Sequence, residues 1–502
     1  MRAFVPRLVA AVAVAVSTLA PAPPAWAAVP PIAWQACGPD HPGFECAQLV
    51  VPLDHDHPRG ATTTLALTRL PAADPARRIG SLLFNPGGPG ASGLDYTWAW
   101  GARMSAGTQG RFDVVGFDPR GIGRSDPLRC FASEQERAEY LADLPLFPYR
   151  PSMQRPFFDR YRALAAKCDQ PIARHMSTAD VARDMDLLRR ALGDRKLTYF
   201  GHSYGSYLGT TYANLFPGNV RALAIDGVLD PERYSSGRQI ESDRVAGEEV
   251  LDEFFRLCDE AACPLAPASR QRYDALLAAA RANPIQLGDE LWTYDQVVGH
   301  ARLTGYASEL WTVIATTLAQ LADAAAEPGV TALVTPPYDN MFDANLGNMC
   351  ADIEFPRNFE TYRAIGRYAE AGSEFGPYWW WTNSACADWP ANEDRYTGPW
   401  TAHTSAPVLV VGGYFDGGTD YRGAQAVARQ LPNSRLLSYA GWGHVSWRRS
   451  QCAADHIYAY LLDVTLPAPG TVCPANPNPF SAAPSQSVED DFRRYTHPAA
   501  AR

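Results

Sequence analysis

The stretch Tyr199-Phe-Gly-His-Ser-Tyr-Gly-Ser-Tyr-Leu208 places a serine in a G-x-S-x-G pattern between a strand-like run and a helix-like run. In that context Gly201-His202-Ser203-Tyr204-Gly205 reads as a nucleophile elbow. The turn is sharp enough to strain its central residue and point that side chain outward. Side chains at Gly201 or Gly205 would collide with the neighbouring strand or helix. The hydroxyl of Ser203 would then lie at the positive end of a helix, ready for nucleophilic chemistry. A bare G-x-S-x-G also arises by chance, so the surrounding residues must supply the rest of the machinery.

A serine hydroxyl needs a base to take its proton, commonly a histidine oriented by a carboxylate. When an elbow serine comes first, the acid and then the base follow it in the chain. Four histidines are in range: His300, His403, His444 and His456. His444 lies in Gly441-Trp-Gly-His-Val-Ser-Trp447, directly after a strand-like run, where flanking glycines permit a tight loop. His300 and His456 fall in helical stretches and suit structural roles. His202 belongs to the elbow, with its ring expected to point away from Ser203. The acid should follow the preceding strand, and Val408-Leu-Val-Val-Gly-Gly-Tyr-Phe-Asp416 fits. Asp420 is its rival, although it also suits a helix N-cap. Two backbone N–H groups should face the developing oxyanion. Tyr204 supplies one. The loop Asn85-Pro-Gly-Gly-Pro-Gly90 supplies the other, from Gly88 or from its neighbour Gly87. Taken alone, that loop reads as an ordinary Pro/Gly turn.

The elements that must position these groups alternate. Short apolar runs Ser81–Phe84, Phe112–Phe117, Leu197–Phe200, Val220–Ile225, Val408–Val411 and Ser434–Ser438 read as strands. Helical spacing covers Thr178–Leu192, with Ser177 or Thr178 as N-cap and Gly193 as stop, and Ser206–Phe216. The pattern predicts an α/β fold, a mostly parallel central sheet with helices on both faces. The rhythm breaks after Asp230-Pro231. Residues 235–330 read as helical and 335–400 as aromatic and loop-like. The expected organisation is a core over 28–230, a largely helical cap insertion over 231–400, a C-terminal core segment over 401–480 and a disordered tail over 481–502. Such a cap would lie over the carboxyl ends of the strands, where open α/β sheets bind ligands.

Residues 1–27 read as a signal peptide, with Arg2 and Arg7, an apolar run over 8–16 and Ala25-Trp26-Ala27. A membrane anchor is the alternative, but the run is short and Pro21, Pro23 and Pro24 interrupt it. A secreted, extracellular protein follows. The formal net charge of −10 becomes −12 once Arg2 and Arg7 leave with the leader, which argues against nucleic acid or an anionic membrane as partner. Ten cysteines in an exported chain predict disulfides, here paired in sequence order into five local loops. Cys258 and Cys263 lack a second Cys/His pair, and no H-E-x-x-H occurs, so no metal or organic cofactor is expected.

NPGGPG, FDPRGIGRS, GHSYGSYLG, YFDGGTD and GWGH, in that order, resemble the proline iminopeptidase branch of the α/β-hydrolases. Within it the chain is similar to secreted tripeptidyl aminopeptidases and related carboxylesterase-like hydrolases over nearly all of the mature sequence. The resemblance implies Ser203 as nucleophile, Asp416 as acid, His444 as base, and Gly88 and Tyr204 as oxyanion donors. Relatives commonly read D-P-x-T-P where this chain has Asp416-Gly417-Gly418-Thr419-Asp420. Loss of both prolines predicts a looser acid loop. An aminopeptidase needs a partly desolvated cap carboxylate for the substrate's α-ammonium group. Asp352 and Glu354 are the sequence candidates, each equally readable as a structural or solvated acid. Trp379, Trp380 and Trp381 could line a pocket or simply pack the core. The expectation is a monomeric serine exopeptidase acting on peptides with free N-termini. An esterase with the same triad, or a non-catalytic binding protein of this fold, are the alternatives.

Overall fold

The computed structural model describes residues 31–324, 339–390, 392 and 394–481. The predicted leader and all but the first residue of the predicted tail lie outside the described residues. Ten strands form one sheet: β1 Gln35–Ala36, β2 Glu45–Pro52, β3 Thr62–Leu70, β4 Gly80–Asn85, β5 Phe112–Phe117, β6 Leu197–His202, β7 Val220–Asp226 and, after the small hairpin β8 Ile285–Leu287 and β9 Glu290–Trp292, β10 Val408–Phe415, β11 Ser434–Trp442 and β12 Val472–Cys473. The order across the sheet is β1-β2-β3-β5-β4-β6-β7-β10-β11-β12. The first four neighbours pair antiparallel, and every pairing from β5 to β12 is parallel.

Alternation along β4 shows how the sheet is covered. Leu83 faces one apolar layer with Val181, Met185, Leu188, Leu208 and Val427. Leu82 and Phe84 face the opposite layer with Met104, Trp447, Ile457 and Tyr460. Both faces are buried, so the parallel strands read as continuous apolar runs rather than alternating ones. The six expected strands are present, and β6, β7, β10 and β11 run further toward the site than their apolar cores suggested. The helix Thr178–Ala191 starts on Ser177, whose side chain accepts the Asp180 N–H.

Between β7 and β10 the chain leaves the sheet. It forms helices Gln239–Glu260, Ser269–Ala282, Tyr294–Arg302 and Trp311–Ala324 around Phe254, Trp311 and Ile314. Within the stretch 335–400, the described residues 339–390 differ from the expected loop. Helices Met341–Asp352, Phe359–Glu370 and Gly376–Thr382 are present. Their aromatic residues pack together instead of breaking the chain: Tyr362 lies 4.6 Å from Trp380 and 5.6 Å from Trp381. Trp380 and Trp381 are therefore buried core, and Trp379 packs against it. That cluster also takes in Phe157, Phe158 and Tyr161 from the segment between β5 and β6. Five disulfides join Cys37–Cys46, Cys130–Cys168, Cys258–Cys263, Cys350–Cys386 and Cys452–Cys473, the expected sequential pairing. Among the described residues no helix is long and apolar enough to cross a membrane.

Candidate active site

At the end of β6, Ser203 takes φ 55° and ψ −125°, a conformation rare for a residue with a side chain. The helix Tyr204–Leu215 follows at once. The Ser203 N–H bonds to the Asp226 carbonyl at 3.0 Å, tying the elbow to β7. A Cβ at Gly201 would stand 2.5 Å from the Gly205 carbonyl oxygen, and one at Gly205 would stand 2.7 Å from Asn85 Oδ1. Both distances are too short, so a side chain at either place would force its neighbours to shift.

The loop after β4 lies against the elbow. A Cβ on Gly87 would be 2.9 Å from the Tyr204 nitrogen and 3.0 Å from the Ser203 Cβ. Gly87 donates its N–H to Asn85 Oδ1 at 2.9 Å. The Gly88 N–H has no partner among the described residues, and the N–H of Tyr204, first in its helix, has no acceptor within it. Of the two glycines considered, Gly88 is thus the one with a donor to spare.

Asp416 follows β10 and is buried. Its Oδ1 accepts N–H groups from Gly418 and Thr419, both at 2.9 Å. Its Oδ2 accepts the Thr419 hydroxyl at 3.0 Å and the Val445 N–H at 3.2 Å. His444 Nδ1 lies 2.8 and 3.0 Å from the two oxygens. The loosening expected from the missing prolines is not seen in this geometry, because hydrogen bonds and close packing hold the loop instead. Gly417 bonds to the Gly305 carbonyl at 3.0 Å, and a Cβ there would come within 2.6 Å of the Gly305 Cα. Asp420 caps the helix Tyr421–Gln430 through the Arg422 N–H at 2.8 Å and pairs with the Arg422 side chain.

His444 is held from three sides. Its N–H donates to the Tyr306 carbonyl at 2.9 Å, and the Tyr306 ring stands edge-on 5.5 Å away. Its Cε1 would be 3.1 Å from a Cβ on Gly227, next to the residue that accepts the Ser203 N–H. Arg449 donates to the His444 and Tyr306 carbonyls and pairs with Glu309, anchoring the loop to the helical segment. Serine, histidine and acid thus converge on the Asp226–Gly227 turn. Among the described residues the Ser203 hydroxyl makes no hydrogen bond to His444, and such contacts often tighten only with substrate present.

The other histidines lie elsewhere. His202 is buried among Phe84, Phe200 and Trp447, with Nδ1 2.7 Å from the Tyr96 hydroxyl, and burial pushes it well below the ordinary imidazole range. His300 is buried against Trp292 and lowered to about 4 by desolvation. His456 lies in the helix Gln451–Asp463, as expected. Among the described residues, two groupings bring metal-ligand atoms within 4.8 Å of one another: Cys452, His456 and Cys473, the two cysteines being joined as a disulfide, and Asp54, His175 and Asp394. Neither includes a residue of the candidate triad.

The two sequence candidates for binding an ammonium group differ from each other. Asp352 is buried, with Oδ1 taking the Thr178 N–H at 2.8 Å and Oδ2 the Thr178 hydroxyl at 2.6 Å; burial raises it to about 7. The Glu354 side chain is 79% exposed and pairs with Arg395 at 2.7 Å. A third carboxylate escaped the sequence reading. Asp243 is buried on the helix Gln239–Glu260, and desolvation, then the charges of Asp420 and Asp416, push it up to about 8. Its Oδ1 accepts the Gln239 amide at 2.7 Å. Among the described residues the buried Gln239 Oε1 and Tyr234 hydroxyl have no hydrogen-bond partner. The available signal was an acid on an apolar stripe, one turn from Ile240 and Gly247.

A family model described as alpha/beta hydrolase fold matches residues 80–256, and one described as TAP-like protein matches 371–473. Serine protease Hip1 of Mycobacterium tuberculosis is 30% identical over 484 residues, covering 88% of this chain and 91% of that protein. Tripeptidyl aminopeptidase of Streptomyces lividans is 30% identical over 484 residues, covering 89% and 87%. Carboxylesterase B of Mycobacterium tuberculosis is 31% identical over 454 residues, covering 85% and 86%. With relatives of that similarity along most of its length and a sheet of this order, the chain belongs to the TAP-like α/β-hydrolases.

Proposed function

We propose that this protein is a secreted serine aminopeptidase that releases short peptides, of tripeptide size, from free N-termini. The observation that carries the reading is the Asp416–His444 pair, closed by two contacts and brought to the same turn that anchors Ser203. Ser203 Oγ attacks the scissile carbonyl while His444 Nε2 takes its proton. Asp416 holds Nδ1 and so fixes which nitrogen faces the serine. The Gly88 and Tyr204 N–H groups meet the oxyanion. Collapse breaks the C–N bond, His444 returns the proton to the leaving amine, and water clears the acyl-enzyme. The helical segment 231–400 acts as a cap that closes one end of the cleft, so only a short N-terminal piece fits.

The α-ammonium group needs buried acceptors. Asp352 has both oxygens engaged by Thr178, and Glu354 is exposed and paired. Asp243, with the unmatched Gln239 Oε1 and Tyr234 hydroxyl nearby, offers three acceptors for three N–H donors, and is the carboxylate we assign to it. The five disulfides and the leader-like residues 1–27 support export. A monomer is sufficient for this chemistry.

The relative named Carboxylesterase B favours a second reading, in which the same triad cleaves acyl esters. Tripeptidyl, prolyl and acyl-ester chromogenic substrates, each with and without N-acetylation, separate the two. The aminopeptidase reading predicts that acetylating the tripeptidyl substrate lowers kcat/KM by at least about 30-fold, the loss expected when a buried charge pair loses one partner. Asp243→Asn should reduce that discrimination. Equal rates on blocked and free substrates would leave the esterase.

A further inference from the structure

The loop that carries His444 contains its own strained residue. Val445 takes φ 71°, in the left-handed region that a β-branched residue adopts only when its surroundings enforce it. Three consecutive N–H groups are fixed there by two carboxylates. Val445 donates to Asp416 Oδ2 at 3.2 Å, Ser446 to Asp226 Oδ1 at 3.1 Å, and Trp447 to Asp226 Oδ2 at 2.7 Å. Asp226 is fully buried at the end of β7, and its own carbonyl takes the Ser203 N–H at 3.0 Å. One residue therefore grips the nucleophile through its backbone and the histidine loop through its side chain.

We infer that Asp226 is a positioning residue for catalysis, whose carboxylate holds the Val445 turn and thereby keeps the His444 imidazole over Gly227 and toward Ser203. The inference rests on the Ser203–His444 reading but applies to peptide and ester substrates alike. It also has a consequence for pH. Asp416 on the acid loop and Tyr96 on the helix Gly93–Gly107 interact with Asp226 by charge, and His202 is its neighbour across the β6–β7 ladder; His444, Arg448 and Arg449 belong to the gripped loop, and Arg103 donates to the Trp447 carbonyl. His202 is neutral by burial. Desolvation, with a smaller push from Asp416, raises Asp226 to about 6. Below that pH the carboxylate gains an O–H where it had an acceptor facing an N–H, and the grip on the loop weakens. Protonation of Asp226 then lowers activity on the acid side.

The test is Asp226→Asn, near-isosteric but with a donor in place of one acceptor. Fluorophosphonate titration counts competent sites, so kcat per titrated site is independent of the folded fraction. We expect kcat per site to fall about 10- to 100-fold with KM within a factor of about two, as for a sub-ångström to ångström displacement of a reacting group. As pH falls through about 6, kcat should drop about 10- to 100-fold more in the wild type than in the variant, whose side chain cannot ionise. An unchanged kcat per site, or the same acid-side drop in both proteins, would overturn the inference while leaving the triad intact. Failure of the wild type to label at all would remove the triad reading and this inference together. If the variant does not fold, a wild-type kcat per site that does not fall as pH drops through about 6 is sufficient to reject it.

Discussion

The nucleophile turn and the histidine loop are both strained, yet they are held in different ways. Ser203 at φ 55° is fixed by shape: a buried strand before it, a helix after it, and glycines that let Tyr199, Gly205 and Asn85 close in. Among the described residues no carboxylate side chain bonds to that turn; the Tyr199 hydroxyl donates to the Gly205 carbonyl at 2.7 Å, and burial holds it well above its ordinary range. Val445 at φ 71° is fixed by charge, through the carboxylates of Asp416 and Asp226. Strain held by packing is indifferent to pH until the fold itself fails. Strain held by buried carboxylates responds to their protonation. The two halves of one site should therefore fail under different insults.

Removing charge from the histidine loop should have the larger effect. Asp416→Asn keeps the shape but presents the wrong hydrogen-bonding face to His444 Nδ1, and kcat should fall about 10⁴-fold with substrate binding retained. Steady-state kinetics against the same chromogenic tripeptide would check it. A loss under about tenfold would mean that another group orients the imidazole. The shape side is tested by Gly205→Ala. Its Cβ would press on Asn85 Oδ1, which holds the Gly87 N–H beside the oxyanion donor. Activity should drop about 10- to 100-fold, in the range of a weakened oxyanion contact, and by the same factor at every pH. A pH-dependent loss would erase the distinction between the two turns.

The smallest effect is on stability, and its sign is opposite to that on activity. Asp226, Asp243 and Asp352 are raised to about 6, 8 and 7, chiefly by desolvation. Each binds a proton more readily folded than unfolded. Their contribution is therefore full below the ordinary carboxylate range and is lost as pH rises through those values. Asp184, paired with Arg120, is lowered, so its contribution disappears only below that range and does not interfere. Acidification from pH 8 to 5.5 should raise Tm by about 1–3 °C while activity falls. Scanning calorimetry across that interval would show it, and a Tm that falls together with activity would count against buried, uncompensated carboxylates.

Much of this was legible in the chain because local signals agreed with tertiary demands. The elbow needs small residues at fixed offsets, and the strands around it are buried on both faces, so their apolar runs stand out. Asp420 declared itself as a cap, which left Asp416 for the histidine. The sequential disulfides followed from cysteines close along the chain. Other features were hidden for physical reasons. The helices over 341–382 carry Gly, Pro, Asn and a run of three tryptophans, and they form because Tyr362, Trp380 and Trp381 pack on one another, a long-range effect. Asp226 looked like an ordinary residue ending a strand; only the fold brings the N–H groups of residues 446 and 447 to it. Asp243 was one acid among many on an amphipathic helix until its burial was visible. The two glycines after Asp416 read as slack, yet they make room for the Tyr306 segment that covers His444.

The most direct measurement is to react the protein with a fluorophosphonate and locate the adduct by peptide mass spectrometry, with Ser203→Ala and His444→Gln beside the wild type. A single adduct per chain on Ser203, absent from the alanine variant and formed at least about 10³-fold more slowly without the imidazole, is what a coupled serine and histidine require. An adduct on another residue, or a labelling rate that ignores the loss of His444, would contradict the central claim.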